Sequence, residues 1–563
     1  MRRARSRHRR LGSDDACKQS RRRSLARRHT RRHHSSSPIL HAGSPVPTLR
    51  LHLAALCAAF VANTASAQQS RADLVLLHGD LFTVDSQHPR AQAVAVRGDR
   101  IAAVGSDAEI QGWVGPRTRV IDLRGRLAIP GFIDGHGHYT ALGESKLVLD
   151  LTKARTWDDI VVQVRDAAAA AKPGTLIEGR GWHQEKWTHA PAPNVEGVPL
   201  HASLDAVSAR NPVVLEHASG HASFVNGAAL RLAGVGRETP NPAGGEIVKD
   251  SSGEPTGLLK ESAQSLIGRA RAKLPHLTKQ EEEARFRKIV QLAGDDALSK
   301  GVTSFHDAGS SFATIDGFKQ LAREGKLPVR LYVMVRFESD STLDAKLDGY
   351  LHAIGDRANR EVLDTYQRIF RDNADAHDLR WRIEHAQHID PLDVPRFKAL
   401  GVIASMQGVH TISDGPWVAK RLGEERARRT SYPWRSLLDA GAVVTNGTDT
   451  PVEDVDPIMS FYGSVTRKTR EGVVFVPEQR VTRDEGLRAY TLNNAYAAFE
   501  EKEKGSLTPG KLADIVVLSK NIMTAPEDDI PSARVDLTIL GGKVRYERRT
   551  TTTAAREAAP RAP

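Results

Sequence analysis

The residues best suited to chemistry are two histidines at the end of the stretch Pro130-Gly-Phe-Ile-Asp-Gly-His-Gly-His138. The apolar run before them predicts a short buried strand, and residues two apart on a strand point to the same face. His136 and His138 should therefore project into one place, where the glycines at 135 and 137 let the backbone bend and a ligand approach. Two imidazoles at a strand end make half of a divalent-metal site, usually for zinc. The alternative is a pair of hydrogen-bonded histidines in a polar loop.

Four further stretches carry residues of the same chemical types. They are Gly301-Val-Thr-Ser-Phe-His-Asp-Ala-Gly309, His352-Ala-Ile-Gly-Asp356, Arg382-Ile-Glu-His-Ala-Gln387 and Gly447-Thr-Asp-Thr-Pro-Val452. With the first stretch, they resemble the amidohydrolase superfamily, and its family 3 branch in particular, which includes enzymes like N-substituted formamide deformylase. The resemblance extends from Ala72 to about Arg548. It implies a TIM-like (β/α) barrel with its site at the carboxyl ends of the strands.

The resemblance also assigns roles to individual residues. It implies these metal ligands: His136 and His138 on the first strand, His352 on the fifth, His385 on the sixth and Asp449 on the eighth. They would hold one divalent ion, most simply zinc, which lowers the pKa of a bound water to about 7 and creates hydroxide. Asp449 would move the proton to the leaving nitrogen, and His385 would steady the oxyanion. If the register shifts by one, Glu384 or His388 replaces His385 as the inward residue.

Other residues are candidates for supporting roles. His306 and Asp307 could brace the site from behind the ligands. Trp182, His183 and His221 lie in a long insertion and could line a substrate pocket, because loops on a rigid scaffold often carry specificity. For each of these five, an ordinary core or surface position is the alternative. We expect Asp134 and Asp356 to be structural partners rather than ligands.

The charge of the chain lies mostly at its amino end. Of the 563 residues, 80 are Lys or Arg and 68 are Asp or Glu, but residues 1–50 alone hold 15 basic and 2 acidic residues. The remainder is close to neutral, so the basic composition does not indicate nucleic-acid binding. Both cysteines, Cys17 and Cys57, also lie in the first 60 residues. The rest of the chain therefore has no disulfide and no cysteine nucleophile.

The first 67 residues read as two segments that precede the folded protein. The Arg/Ser/His-rich residues 1–48 predict disorder. Residues 49–67 read as a signal peptide, because Arg50 is followed by an apolar run and Ala65-Ser-Ala67 fits a small-residue cleavage site. That run is too short for a stable membrane anchor. We therefore expect a periplasmic or secreted protein that begins near Gln68.

The hydrophobic patterns divide the rest of the chain into three parts. Residues 68–128 and 505–548 are rich in short strands, and we expect them to form one small composite β-sandwich from both ends of the mature chain. Residues 129–504 alternate strands with helices and predict the α/β barrel, with residues 139–300 as an insertion. The Thr/Ala/Pro-rich residues 549–563 predict a disordered tail.

The barrel shows one departure from the resemblance. Only Arg336–Gly349 separates two predicted strands where one further βα unit, with a metal-bridging lysine, is expected, so we count seven strands instead of eight. Lys346 superficially matches that lysine but lies in a polar context. We expect an open seam in an eight-strand frame, at most one tightly held metal and low activity.

The leading hypothesis is a metal-dependent hydrolase of carbon–nitrogen bonds other than peptide bonds, acting on small amide or formamide substrates. The alternative is a degenerate relative that binds metal or ligand with little or no turnover. The sequence leaves the oligomeric state open.

Overall fold

The computed structural model describes residues 71–274, 276–336, 350–373 and 378–549. The predicted amino-terminal extension, signal peptide and carboxyl tail lie outside these residues, as does Lys346. None of the described helices is both long enough and apolar enough to cross a membrane.

The chain enters the described part through short strands. They are β1 (Leu74–Leu77), β2 (Asp80–Phe82), β3 (Arg90–Ala91), β4 (Ala93–Arg97), β5 (Arg100–Gly105), β6 (Arg119–Asp122) and β7 (Leu127–Pro130), with helix α1 (Asp107–Gln111) after β5. Strands β5, β4, β1 and β6 form one sheet in that order. Strands β4 and β5 are antiparallel, and Gly98 in the turn between them has a φ of 61°.

Strand β8 (Phe132–Gly137) starts the part of the chain for which the sequence predicts a barrel, here called the barrel region, and is buried along its whole length. Helix α2 (Tyr139–Ser145) follows it directly. The next elements form the insertion: β9 (Leu149–Asp150), α3 (Trp157–Ala170), β10 (Ile177–Trp182), β11 (Asn194–Val195), β12 (Val198–Pro199), α4 (Ala202–Ser208), β13 (Val213–His217), β14 (Ala222–Val225), α5 (Gly227–Ala233), β15 (Gly245–Lys249), β16 (Pro255–Glu261), α6 (Leu266–Arg271) and α7 (Lys279–Ser299).

The insertion has a sheet and a core of its own. Six of its strands form this sheet, in the order β15-β16-β14-β13-β10-β9, and β11 and β12 pair separately. Trp157, Trp182 and Phe224 are central to one of its apolar clusters. Helix α7 leads back to the barrel region, and it begins with a capping box, in which the Thr278 hydroxyl accepts from the Glu281 backbone N–H.

The barrel region continues with strands that alternate with helices. These are β17 (Val302–Ser310), α8 (Phe312–Arg323), β18 (Arg330–Val335), β19 (Tyr350–Ala353), α9 (Asp356–Asp372), β20 (Arg382–His385), α10 (Val394–Leu400), β21 (Ile403–Gln407), α11 (His410–Leu422), α12 (Glu424–Thr430), α13 (Trp434–Asp439), β22 (Val444–Gly447), α14 (Pro457–Thr466), α15 (Arg483–Ala489) and α16 (Leu492–Ala497). The described parallel strands form two sheets, β18-β17-β8 and β19-β20-β21-β22.

Strands β8 and β22 lie side by side and connect these two sheets. The Asn494 side chain donates to the carbonyl oxygens of Ile133 and Asn446, at 2.6 and 2.8 Å. Just beyond the strand ends, the Asp449 backbone N–H donates to the carbonyl of His136 at 2.7 Å. These contacts bring the first and last strands of the region together at their carboxyl ends.

The chain ends in three strands, β23 (Ile515–Leu518), β24 (Val535–Leu540) and β25 (Lys543–Glu547). Strand β23 pairs antiparallel with β7, so a six-stranded sheet runs β25-β24-β23-β7-β2-β3. Apolar residues from both ends share one cluster, for example Leu74, Leu507 and Ile515. Strands from the two ends of the described chain therefore complete each other's sheet.

Candidate metal centre

The first two candidate ligands leave the end of β8. His136 is fully buried, and His138 is half-buried immediately before α2. The glycine beside them serves close packing here, because a Cβ at Gly135 would lie 2.3 Å from Oδ1 of Asn494 and 2.6 Å from the Asn446 carbonyl. Its φ is not in the positive region. The absence of a side chain at Gly135 thus lets β8 approach β22.

Strand β20 contributes two consecutive residues, Glu384 and His385. On a regular strand they would point to opposite faces. His385 and Ala386, however, have φ values of 72° and 43°, a left-handed backbone that non-glycine residues adopt only under strain. Glu384 contacts His136, and the His385 ring lies 4.8 Å from the His136 ring. Glu384 and His385 therefore both point toward His136. The third alternative, His388, instead pairs with Ser431 Oγ at 2.9 Å.

Asp449 follows β22 and reaches the same place through a φ of 57°. Its Oδ1 lies 3.4 Å from His136 Nε2 and 3.2 Å from His138 Nε2. The residue before it, Thr448, is fixed by Asp134, whose carboxylate accepts from the Thr448 backbone N–H and hydroxyl at 3.0 and 2.5 Å. Asp134 thus has the structural position expected of it.

The structure brings the five predicted ligands together. Together with His410, they form three overlapping groups, and within each group all donor atoms lie within 4.8 Å of one another. The groups are His136, His352 and His385; His136, His138 and Asp449; and His385, His410 and Asp449. Nε2 of His136 and Nε2 of His410 are buried without a hydrogen-bond partner. Buried polar atoms normally have one. Converging imidazole nitrogens and a carboxylate are the donors that a zinc-like ion prefers, so the residues fit a divalent cation.

The surroundings favour the metal-binding protonation states of Asp449 and His385, but not of His136. Burial alone would raise the pKa of Asp449, but the adjacent His136 and His138 imidazoles hold it well below its usual range. Burial and the charge of His136 lower the pKa of His385 to about 4. Burial would also lower the pKa of His136, yet the Glu384 carboxylate and Asp449 raise it to about 9. The site therefore presents a carboxylate and a neutral His385, the protonation states that bind metals, whereas His136 must release a proton when a cation binds.

Strand β17 supplies residues behind this group. His306 is fully buried, and its Nδ1 accepts from Arg382 Nη1 at 3.0 Å. The Asp307 carboxylate accepts from the Tyr139 backbone N–H at 2.9 Å and from the Ser310 hydroxyl at 2.5 Å. Neither belongs to the three groups above. His306 contacts Arg382 and Asp307 contacts the residue after His138, so a bracing role for both stays a prediction.

The three candidates in the insertion occupy different environments. Trp182 is 1% exposed in the insertion core, and its Nε1 donates to the Leu215 carbonyl at 2.8 Å. The half-buried His183 ring lies 4.5 Å from the His217 ring. His221 pairs with Glu261 at 3.1 Å on the exposed surface. Trp182 therefore has an ordinary core position, which was the alternative to a role in lining a substrate pocket.

Two residues beside the site were missed in the sequence. Gln407 ends β21, and its Oε1 accepts from His385 Nδ1 at 2.9 Å. His410 begins α11, with Nε2 3.7 Å from Asp449 Oδ2. The signal that could have found them is the stretch Gln407-Gly-Val-His410. It follows a buried apolar strand just as the other site residues do.

The insertion touches the loop that carries Asp449. Arg180 of β10 donates through Nη1 to the Pro451 carbonyl and lies 3.3 Å from the Glu216 carboxylate. Pro451 is two residues beyond Asp449. The carboxyl end of β10 is thereby tied to the edge of the candidate site.

Comparison with known sequences identifies related proteins along most of the chain. The model of the amidohydrolase family matches residues 119–346 and 343–546. Protein LONG AFTER FAR-RED 3 of Arabidopsis thaliana is 34% identical, over 84% of this chain and 92% of its own length. The N-substituted formamide deformylase of Arthrobacter pascens and the putative amidohydrolase YtcJ of Bacillus subtilis are 28% and 27% identical, each over 84% of this chain and 98% of the relative.

Solved structures with the same fold include two uncharacterised metal-dependent hydrolases. The protein from Pyrococcus horikoshii has a TM-score of 0.62 and 22% identity, over 81% of this chain and 99% of its own. The protein from Pyrococcus furiosus has a TM-score of 0.59 and 23% identity, over 80% and 100%. Together with the family match over more than half of the sequence, these findings place the chain in the amidohydrolase family, in its family 3 branch.

Proposed function

We propose that this protein hydrolyses carbon–nitrogen bonds other than peptide bonds, in small amide or formamide substrates, with the help of a divalent cation. The observation that carries the proposal is the convergence of buried imidazole nitrogens on Asp449. The relative named N-substituted formamide deformylase supports the type of bond.

The residues that would hold the cation are His136, His138, His352, His385 and Asp449, and we propose a single zinc ion. When bound, such an ion supplies Lewis acidity and a water of lowered pKa. Asp449 would accept the proton of the attacking water through a carboxylate oxygen and deliver it to the leaving nitrogen. His385, neutral and with Nδ1 donating to Gln407, would present the lone pair of Nε2 to the cation and would steady the developing oxyanion through the charge of that cation.

We further propose that these residues belong to a TIM-like barrel that lacks one βα unit and that is flanked by a composite β-sandwich. Two observations support the missing unit. The family match is broken into two segments that meet at residues 343–346. The alignments with the relatives run over 539 to 553 positions but use only 84% of this chain of 563 residues, so the relatives contain residues that this chain lacks.

We also propose export to the periplasm or the outside of the cell. The support is the apolar run and the Ala65-Ser-Ala67 site in residues 49–67. A neutral body without cysteines suits an oxidising compartment.

The test combines metal analysis with a substrate panel. The purified protein should contain close to one equivalent of zinc per chain, and it should release formate or acid from N-substituted formamides or N-acyl amino acids while leaving a dipeptide intact. Bound metal without turnover of any amide would favour the degenerate alternative. Absence of bound metal after dialysis against micromolar zinc would refute the proposal.

A further inference from the structure

We infer that Glu384, itself held by Arg382, is a positioning residue that fixes the orientation of His136 and presents its Nε2 to the cation. This inference rests on the proposed metal role of His136. None of the similarities described above assigns a role to Glu384 or Arg382.

The contact between Glu384 and His136 is short and excluded from water. Oε2 of Glu384 lies 2.5 Å from Nδ1 of His136, and both side chains are fully buried. An ionised carboxylate can only accept hydrogen bonds, so Nδ1 carries the hydrogen and donates. Nε2, on the opposite side of the ring, is then the nitrogen that faces Asp449, at 3.4 Å from Oδ1.

Arg382 holds both sides of this contact. Its Nε lies 2.8 Å from Oε1 of Glu384. Its Nη2 donates to the carbonyl of Gly135 at 2.5 Å and to the hydroxyl of Ser405 at 2.8 Å. One guanidinium therefore fixes the carboxylate and the peptide group just before His136. An arginine suits this role because its planar fork of donors is rigid and always charged.

The arrangement does more than neutralise a buried arginine. Both oxygens of Glu384 contact the guanidinium, since Oε1 lies 2.8 Å from Nε and Oε2 accepts from Nη2 at 3.3 Å. Oε2, however, lies closer to Nδ1 of His136, at 2.5 Å, than to Nη2 of Arg382. His385 offers a comparison, because its Nδ1 has a neutral partner, the amide oxygen of Gln407. A carboxylate partner raises the basicity of an imidazole ligand more than an amide does, so His136 would be the stronger donor of the two.

The test compares metal binding by the full-length protein and by Glu384→Gln. The exposed Glu478, which pairs with Arg428 at the surface, gives the matched control Glu478→Gln. Competition with a chromophoric chelator measures the dissociation constant for Zn²⁺. We expect it to rise about 10- to 100-fold in Glu384→Gln and to stay unchanged in the control. An unchanged constant in folded Glu384→Gln would overturn the inference.

A spectroscopic readout separates orientation from general destabilisation. In the apoprotein labelled with [¹⁵N]histidine, the buried Nδ1–H of His136 should give a strongly downfield proton resonance that Glu384→Gln shifts and Glu478→Gln leaves in place. If Glu384→Gln does not fold, the wild-type spectrum decides: a His136 whose Nδ1 carries no proton contradicts the inference. If the wild type binds no zinc, the proposed function fails. If it binds zinc and Glu384→Gln binds it equally well, only the role of Glu384 fails.

Discussion

Two site residues, His385 and Asp449, hold their side chains in place through a left-handed backbone. Such conformations cost of order 1–3 kcal/mol for a non-glycine residue and persist only where the surroundings enforce them. Here the enforcing contacts are visible, since Gln407 holds the His385 ring and Thr448 is tied to Asp134. The strain is local to the residues on which the proposed chemistry depends.

The double variant His136→Ala/His138→Ala should lose bound metal and remain folded. It removes two converging nitrogens, while Glu384 keeps its partner Arg382. Metal content by mass spectrometry and circular dichroism are the measurements. The control is His88→Ala/His276→Ala, which changes two exposed histidines. Stoichiometric metal in the first variant would remove these histidines from the ligand set.

Asp449→Asn should lower turnover by about 10²- to 10⁴-fold, the usual contribution of a positioned acid or base. The substitution keeps the shape of the side chain and removes its basic oxygen. Steady-state kinetics on whichever amide the panel identifies give the ratio. Asp454→Asn, an exposed change on the same loop, serves as the comparison. Wild-type turnover by Asp449→Asn would place the base elsewhere.

At this scale the sequence indicated the candidate ligands better than their partners. His136, His138, His385 and Asp449 lie at or just beyond strand ends, where periodicity and motif agree. The joint inward placement of Glu384 and His385 depends on a positive φ at His385, which strand periodicity does not predict. Gln407 and His410 were missed because their role arises from contacts between distant strands.

The element that most directly joins the insertion to the site is strand β10. Its Arg180 supplies hydrogen bonds to carbonyl groups of the Asp449 loop and of the insertion itself, at Pro451 and Ala218. The long insertion is thereby fastened beside the proposed reaction centre. Elements placed in this way commonly set substrate specificity.

Arg180→Met should reduce catalytic efficiency by about 10-fold or more, because hydrogen bonds from a charged group are worth roughly 1.5–3 kcal/mol. Metal content should not change, since Arg180 belongs to none of the ligand groups. Kinetics and metal analysis on the same preparation check both statements. Arg165→Met on the exposed face of α3 is the control. Full efficiency would show that the loop keeps its position without the insertion.

Most elements follow from local patterns. Thr156 and Thr278, residues typical of helix N-caps, start helices α3 and α7 with hydroxyls that accept from the Asp159 and Glu281 backbone N–H groups. The antiparallel pairing of β7 with β23 joins residues almost 400 positions apart. Hydrophobic periodicity predicts both strands but not their pairing, for which the family resemblance was needed.

On the scale of the whole molecule, strands β18 and β19 stand at the edges of their sheets among the described strands. The residues of β18 are mostly half-buried, whereas those of β17 and β21 are almost all buried. This is the location of the proposed missing unit. Residues 337–349 lie outside the described part of the chain.

Hydrogen–deuterium exchange should be faster in β18 than in β21. Strand β21 pairs on both sides, with β20 and β22, and central strands exchange only through large openings. Peptides covering residues 330–335 and 403–407 provide the comparison in one experiment. Equal protection would indicate a closed ring and contradict the open seam.

Expression of the complete chain in a bacterium with a periplasm should give a mature protein that starts near Gln68. The reason is the small-residue site that ends at Ala67. Amino-terminal sequencing of the periplasmic fraction measures the start, and Ala65→Lys/Ala67→Lys should block processing. Soluble cytoplasmic protein that keeps residues 1–67 would argue against export.

The proposed ligands come from both ends of the barrel region, since His136 ends its first strand and Asp449 follows its last. A cation shared by these residues would bridge positions roughly 300 residues apart in the folded chain. Because it would bind the folded form, it would stabilise that form by an amount that grows with the logarithm of its affinity, whether or not substrate is ever cleaved. Selection for a durable fold would then preserve all five ligands even in a copy of the protein that had lost its turnover.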